Sequence, residues 1–190
     1  MKLLNAGLCA LLLLTGCVTR QRDHFYVLDA QPGGSRESRS QFDRQITLRV
    51  TVPSLVDRAE MVLATSSGGV AVMDHERWAA PLADLVTAAL ARNLEQRRSD
   101  VVVLSKTADH AGIPLVRMTV DIDQITARLG NPLIVEVHWR VIDAHTGREL
   151  LGRDTFLSPQ PPQSYAEVAA ALSACIASLA DRLAAQIPAG

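Results

Sequence analysis

The sequence has few aromatic residues and no excess of charge of one sign. Its 190 residues include only three Phe, two Trp and two Tyr, which does not suggest a large dedicated ligand cavity. The 19 basic and 20 acidic side chains nearly cancel, whereas a surface that follows phosphates needs a clear basic excess. The balance therefore argues against nucleic acid as the main partner. A hydrophobic fraction of 48% excludes a disordered chain, and the length suits one domain with a real core.

Motifs for catalysis and for metal binding are also missing. The sequence has neither GxSxG nor a P-loop, and the Gly-containing stretch 66–69 lacks the lysine and the following helix that a phosphate-binding loop needs. The five histidines form no HxxxH or HExxH arrangement, and none has a cysteine nearby. We therefore expect no enzyme, no metal site and no cofactor. The histidines are His24, His75, His110, His138 and His145.

The N-terminus has the composition of a secretory signal. Lys2 precedes an apolar run, and 11 of the first 16 residues are apolar. The run is shorter than the roughly 20 apolar residues that cross a bilayer. Residues 14–17 (LTGC) then resemble a bacterial lipobox, in which cleavage between Gly16 and Cys17 leaves a cysteine that carries a diacylglycerol thioether and an N-acyl chain. We predict a signal peptide over 1–16 and a lipid-anchored tether over 17–24; an ordinary secreted protein is the alternative.

Three further predictions follow from the lipidated cysteine. Val18 stands where inner-membrane lipoproteins typically have Asp, so resemblance to sorted lipoproteins favours the periplasmic face of the outer membrane. Cys9 would leave with the signal and Cys17 would be acylated, so Cys175 would be the single free thiol, buried in an apolar helix. Residues 18–24 would form a tether of roughly 23 Å, which keeps the domain close to the membrane.

The remaining residues, 25–190, predict a single α+β domain. We expect an antiparallel-rich mixed sheet with two main helices packed on one face, in the order strands, helix, strands, helix. Residues 31–45 are rich in Gly, Ser and Arg and predict a flexible loop. The predicted strands cover 25–28, 46–52, 61–65, 70–73, 101–104, 115–127, 133–143 and 149–157, and the predicted helices cover 81–97 and 165–187.

The clearest local prediction is the hairpin of 115–127 and 133–143, joined by a two-residue turn at Gly130-Asn131. In the register that this two-residue turn sets, each aspartate on the outer face of the hairpin lies opposite an arginine or a histidine. This favours surface ion pairs over a metal site. The predicted pairs are Ile122 with Trp139, Asp121 with Arg140, and Asp123 with His138.

The last helix carries no charge between Glu167 and Asp181. Leucine, isoleucine and valine account for one face, but the other faces are Ala and Ser, where a solvated helix would carry Lys and Glu. Either this Ala-rich face is an exposed surface without a binding role, or it is a contact surface for a like subunit or a partner. The predicted interface residues are Ala170, Ala174, Ala177 and Ser178.

The order of these features resembles one known family. A lipobox is followed by FYVL at 25–28, ERWAAPL at 76–82, NL at 93–94 and DAHTGR at 143–148. This order resembles the PqiC/YmbA-like lipoproteins, described as membrane-integrity-associated transporter subunits or ABC-type transport auxiliary lipoproteins. The resemblance covers essentially the whole mature chain.

The resemblance implies a non-enzymatic subunit of a lipid transport system. Such lipoproteins work with MCE-domain proteins that bridge the inner and outer membranes, and with inner-membrane transporter subunits. This chain would be the outer-membrane anchor or dock, tied to the membrane through its lipid, and a homo-oligomeric ring around a tubular partner stays open. The alternatives are an assembly chaperone for an outer-membrane barrel or lipopolysaccharide export complex, a periplasmic enzyme, and a structural lipoprotein without a transport partner.

Overall fold

The structure is a computed structural model that describes residues 22–33, 42–104 and 115–187. The predicted signal peptide, Gly16, Cys17, His110 and most of the predicted loop lie outside these residues. Eight strands and two helices form in the described part of the chain. They are β1 His24–Tyr26, β2 Arg44–Thr51, β3 Glu60–Ala64, β4 Val70–Trp78, α1 Leu82–Arg97, β5 Val101–Leu104, β6 Leu115–Thr126, β7 Ile134–Asp143, β8 Glu149–Leu157 and α2 Tyr165–Ala184.

The α+β class and the order strands, helix, strands, helix are confirmed. The strands form two mixed sheets, however, rather than the one sheet that we expected: a small sheet with the order β1-β4-β3 and a large sheet with the order β5-β2-β6-β7-β8. The three hairpin pairs are antiparallel, whereas β1 pairs in parallel with β4, and β2 pairs in parallel with both β5 and β6. These parallel pairs join segments that are far apart in sequence, so local periodicity does not reveal them.

The β6–β7 hairpin keeps the predicted side-chain faces in a different register. Ile122 lies opposite Val137, and Trp139 lies opposite Val120, so the predicted pairing of Ile122 with Trp139 was wrong by two positions. A shift of two residues preserves the faces because strand side chains alternate with a period of two. The turn prediction was also wrong, because residues 127–133 form a longer connection. Its Gly130, with φ of 77°, donates its N–H to the Pro162 carbonyl at 2.8 Å.

Helix α2 is the central element of the core. It packs against α1, β7 and β8, and the segment after β1 crosses it, where the Asp29 N–H donates to Ser173 Oγ at 3.1 Å. Twelve of its residues are buried, including Ala169, Ala171 and Ala180 on faces that carry no large side chain. The absence of charge along this helix therefore has an intramolecular reason, because an unpaired charge at these positions would be costly to bury.

The ends of the two helices are joined by arginine side chains. Arg97 forms an ion pair with Asp181 of α2. Arg98 Nη1 donates to the carbonyls of Ala184 and Ile187 at 3.2 and 2.9 Å. These contacts satisfy C-terminal carbonyls that a helix leaves without intrahelical partners, so they fix where α2 ends against α1.

The packing of Gly152 against Trp139 gives a stability prediction. A Cβ atom at position 152 would come within 2.2 Å of Trp139 Cζ2, and the Trp139 indole N–H donates to Asp154 Oδ2 at 2.7 Å, which holds the ring in place. We expect Gly152→Ala to lower the free energy of unfolding by about 1–3 kcal/mol, as overpacking does. Thr155→Ala, at an exposed position of the same strand, should cost at most about 0.5 kcal/mol. Urea denaturation measures both, and a fully stable Gly152→Ala variant would contradict the described packing.

Candidate functional site

An open apolar groove lies where the two sheets meet. Three segments line it: residues 53–56 after β2, the β3–β4 hairpin, and the end of β6. Its volume is about 370 Å³. The apolar lining includes Leu55, Val56, Val62, Ala64, Val70 and Ile125.

Local backbone geometry builds two of the three walls. The β3–β4 turn closes where the Thr65 N–H donates to the Gly69 carbonyl at 2.8 Å, with Gly68 at φ of 82°; this confirms the predicted hairpin. In β6, the pairing with β7 is interrupted at Asp123 by a β-bulge. A bulge bends its strand and increases its twist, and beyond it the Ala64 N–H donates to the Ala127 carbonyl at 2.8 Å. The edge of the small sheet is thereby attached to the end of β6.

Large apolar side chains are exposed around the groove. Leu55 and Val70 are 54% and 49% exposed, and Val72 is exposed beside them. Single exposed apolar residues are ordinary on protein surfaces, but Leu55 and Val70 lie on two different segments and both line the same concavity. Concave apolar surfaces are the usual form of a binding site, so this groove can accept an apolar segment or chain.

Strand β1 is fixed to the small sheet by a polar cluster. The Tyr26 hydroxyl donates to Glu76 Oε2 at 2.6 Å, and His24 Nδ1 lies 3.1 Å from Glu76 Oε1. Burial, together with the hydrogen bond to Glu76, raises the pKa of Tyr26 to about 12. Burial also raises the pKa of Glu76, but the hydrogen bonds from Tyr26 and His24 outweigh it and lower that pKa overall. Tyr26 therefore stays a donor to an ionised Glu76, and the start of the domain is held to the small sheet.

The predicted ion pairs are borne out only in part. His138 Nδ1 lies 2.6 Å from Asp123 Oδ2, as expected, although Asp123 stands in the bulge. Asp121 does not meet Arg140; it accepts the Thr51 hydroxyl at 2.7 Å, while Arg140 Nε lies 3.1 Å from Glu149 Oε1. That pair was wrong because of the register shift of two positions.

The histidines of the described residues are dispersed. His75 lies 2.9 Å from Asp23, and His145 donates its backbone N–H to the buried carboxylate of Asp143 at 2.8 Å in the β7–β8 turn. Within residues 22–33, 42–104 and 115–187, no three His, Cys, Asp or Glu side chains form a group that could hold a metal ion.

The predicted interface on α2 is partly buried within the chain. Ala177 is 6% exposed, so the accessible part of this surface consists of Ala170 and Ser178, with Ala174 half-buried between them. An interface there stays a prediction. The sequence reasoning missed the apolar groove, whose walls come from segments about 60 residues apart. The apolar residues at positions 55 and 70 were the available signal.

Comparison with known proteins identifies the family. The profile of the family described as "ABC-type transport auxiliary lipoprotein component" matches residues 26–184. The chain belongs to this family. The resemblance stated from the sequence is thereby confirmed, and an ABC-type transport auxiliary lipoprotein component is associated with a membrane transport system. None of the curated proteins compared with the chain matches it.

Two solved structures share the fold of this auxiliary lipoprotein. A crystal structure of an uncharacterised protein is 18% identical, with a TM-score of 0.69, and the match covers 88% of this chain and 100% of that one. Protein XCC0632 from Xanthomonas campestris, of family DUF330, is 13% identical, with a TM-score of 0.60 over 84% of this chain and 92% of that one. At these identities the likeness shows the fold alone. Within the described part of the lipoprotein, neither helix is long and apolar enough to cross a membrane.

The buried thiol of this lipoprotein gives a labelling prediction. Burial raises the pKa of Cys175 to about 12, and the thiolate is the reactive form, so the native protein should not react with a maleimide at pH 8. In denaturant we expect one labelled thiol per chain by mass spectrometry, because Cys17 would be blocked by its thioether and Cys9 removed. Fast labelling of the native protein would contradict the burial, and three labelled thiols in denaturant would contradict the processing.

Proposed function

We propose that this chain is the outer-membrane lipoprotein subunit of an MCE-type lipid transport system that bridges the two membranes. It acts without catalysis, as the anchor or docking component at the periplasmic face of the outer membrane. Family membership supports the transport role. The single observation that supports docking is the apolar groove between the two sheets, which offers a partner a concave apolar surface.

The groove and the predicted tether belong to the same part of the molecule. Strand β1 runs parallel to β4, and Asp23 lies beside His75, so the described start of the chain lies along β4, whose first residue lines the groove. Asp23 is six positions after Cys17, a reach of about 20 Å. His75 is five positions after Val70 at the groove, about 17 Å of strand. With Cys17 lipidated, the groove is held within a short distance of the membrane that carries the anchor.

The chemistry of the groove suits a protein partner better than a reaction. Its walls are mainly apolar, and its one carboxylate, Asp123, is paired with His138 at 2.6 Å. The free thiol of the described residues, Cys175, is buried away from it, with a pKa of about 12. An apolar segment at the end of a periplasm-spanning MCE-domain protein would fill such a surface, and inner-membrane transporter subunits would supply the energy.

The location of the lipoprotein can be tested through Val18. We expect the wild-type chain to sediment with outer-membrane vesicles on a sucrose gradient, and Val18→Asp to sediment with inner-membrane vesicles, because Asp after the lipidated cysteine resembles the inner-membrane retention signal. Val18→Ala is the matched control and should behave as wild type. Wild-type protein found in the inner membrane would contradict the proposed location.

Docking can be tested through the groove. Affinity capture of the lipidated chain should recover an MCE-domain protein, and the double change Leu55→Asp with Val70→Asp should reduce the recovery about tenfold, a loss of about 1.4 kcal/mol. Both side chains are exposed, so the variant should fold normally.

The control for docking is Leu157→Asp, which places the same charge on β8, at an exposed residue that does not line the groove. It should leave the recovery unchanged. Equal recovery with the groove variant and the wild type would remove the groove from the proposal. Recovery of only a barrel protein would contradict the transport role and favour the assembly-chaperone alternative.

A further inference from the structure

Two neighbouring apolar side chains are exposed at the start of the domain. Phe25 of β1 is 63% exposed, and Val27 is 51% exposed. Burial alternates along this extended stretch, because Tyr26 and Leu28 turn inwards while Phe25 and Val27 turn outwards. Strand β1 also forms an edge of the small sheet and pairs with β4 alone among the described strands. An exposed apolar surface at such an edge is a candidate for an interaction.

Charged side chains lie beside Phe25 on the outer face of the small sheet. The register partner of Phe25 is Arg77 of β4, and the register partner of Arg77 in β3 is Glu60. Register partners on adjacent strands project to the same face. The next pair, Tyr26 with Trp78, faces inwards, where Trp78 is buried. The outer face therefore carries an apolar side chain at the edge, followed by an arginine and a glutamate.

Two guanidinium groups share the carboxylate of Glu60. Arg58 Nε lies 3.0 Å from Glu60 Oε2, and Arg77 Nη2 lies 3.0 Å from Glu60 Oε1. Asp57, the neighbour of Arg58, accepts the Ala83 N–H at 3.1 Å and so offsets the positive end of α1 instead. Both arginine side chains stay partly exposed, and each guanidinium has five N–H donors. One positive charge therefore remains in excess, with donors that phosphate oxygens can accept.

The chain that leads to β1 is also basic. The predicted tether over 17–24 contains two arginines, Arg20 and Arg22, and a single carboxylate, Asp23. This carboxylate is already paired, because Asp23 Oδ1 lies 2.9 Å from His75 Nδ1. The tether therefore adds positive charge next to the arginines of the small sheet.

We propose that Phe25, Val27, Arg58 and Arg77 form a membrane-contact face, which lies on the bilayer that holds the lipid anchor. Phe25 and Val27 enter the interfacial region of the bilayer, where amphipathic surfaces bury apolar side chains. The arginines bind the phosphates of anionic lipid headgroups. This inference rests on the lipid anchor of the proposed function, but it does not involve the transport partner.

The length of the tether favours a bilayer as the occupant of this face. Phe25 is eight positions after Cys17, so the two residues can be at most about 27 Å apart. A site on so short a tether meets the surface that holds the tether at an effective concentration of about millimolar or more. A contact by two apolar side chains and a few arginines, which would be weak for a free protein, is therefore sufficient to keep the face on the membrane.

The membrane-contact face is attached firmly to the rest of the domain. The Ala79 N–H donates to the Tyr26 carbonyl at 2.8 Å, and the Tyr26 hydroxyl donates to Glu76 Oε2 at 2.6 Å. A lipid anchor alone leaves a domain free to turn about its tether. A second contact through a rigid face restricts this rotation, so the membrane-contact face would give the domain a defined orientation on the bilayer.

Fluorescence quenching in vesicles tests the contact. The full lipidated chain with Val27→Cys is labelled with an NBD maleimide, which reacts at the new thiol because Cys175 is buried and Cys17 carries the lipid. In vesicles of phosphatidylethanolamine with about a quarter of phosphatidylglycerol, lipids that carry a doxyl group near the headgroup should quench this label at least about twofold. The matched control is Leu157→Cys, at a similarly exposed position of β8, whose label should be quenched little.

Two changes separate a specific contact from mere closeness to the anchor. In the chain labelled at position 27, Phe25→Ala should remove most of the quenching, whereas Leu157→Ala, the matched loss of an exposed apolar side chain, should leave it unchanged. Vesicles of phosphatidylcholine alone, which have no net charge, should also reduce the quenching, because the arginines then lose their anionic partners. Circular dichroism checks that the variants are folded.

The outcomes distinguish this face from the anchor and from a protein partner. Equal quenching at positions 27 and 157, or quenching that Phe25→Ala leaves unchanged, would overturn the proposal. A label that is shielded from aqueous iodide but not quenched by the lipids would also overturn it, because a protein would then cover the face. A chain that does not float with the vesicles would contradict the anchor itself, and the contact with it. A chain that floats with an unquenched label would contradict the contact alone.

Discussion

The fold depends on the burial of α2 on three sides. The large sheet lies beneath this helix, α1 lies beside it, and the segment after β1 crosses it at Ser173. A helix with twelve buried residues cannot carry ordinary surface charges, because several of them would be left without water or partners. Alanine and serine at these positions let three neighbours approach closely. The charged residues return only at the end of α2, where Asp181 meets Arg97.

The same burial connects the start of the chain to the core. Leu28 is buried between the helices, and its carbonyl accepts Arg92 Nη2 at 2.8 Å. The Gln31 N–H donates to Asn93 Oδ1 at 3.2 Å, and Asn93 is itself buried in α1. A pull on a lipid anchor upstream of β1 would therefore be carried by both helices rather than by a loose terminus. In the proposed docking role such a connection would be needed, since any force between the partner and the membrane would pass through this segment.

The bounds of the strands and helices could be predicted from the sequence wherever local hydrophobic periodicity determines them. The bounds of β8 and the extent of α1 agree with the prediction, and the β3–β4 hairpin followed from the glycines between its strands. The register of β6 against β7 could not be fixed, because registers that differ by two residues expose the same faces. The bulge at Asp123 and the contact of Gly130 with Pro162 decide it, and both depend on the assembled fold. The groove escaped prediction for the same reason, because its walls converge only when the two sheets meet.

The groove offers recognition by shape and burial rather than by charge. Its walls are mainly apolar, and its one carboxylate, Asp123, is already paired with His138. Exposed ion pairs contribute little energy and weaken with salt, whereas apolar burial does not depend on such pairs. The affinity of a partner bound in the groove should therefore depend little on salt.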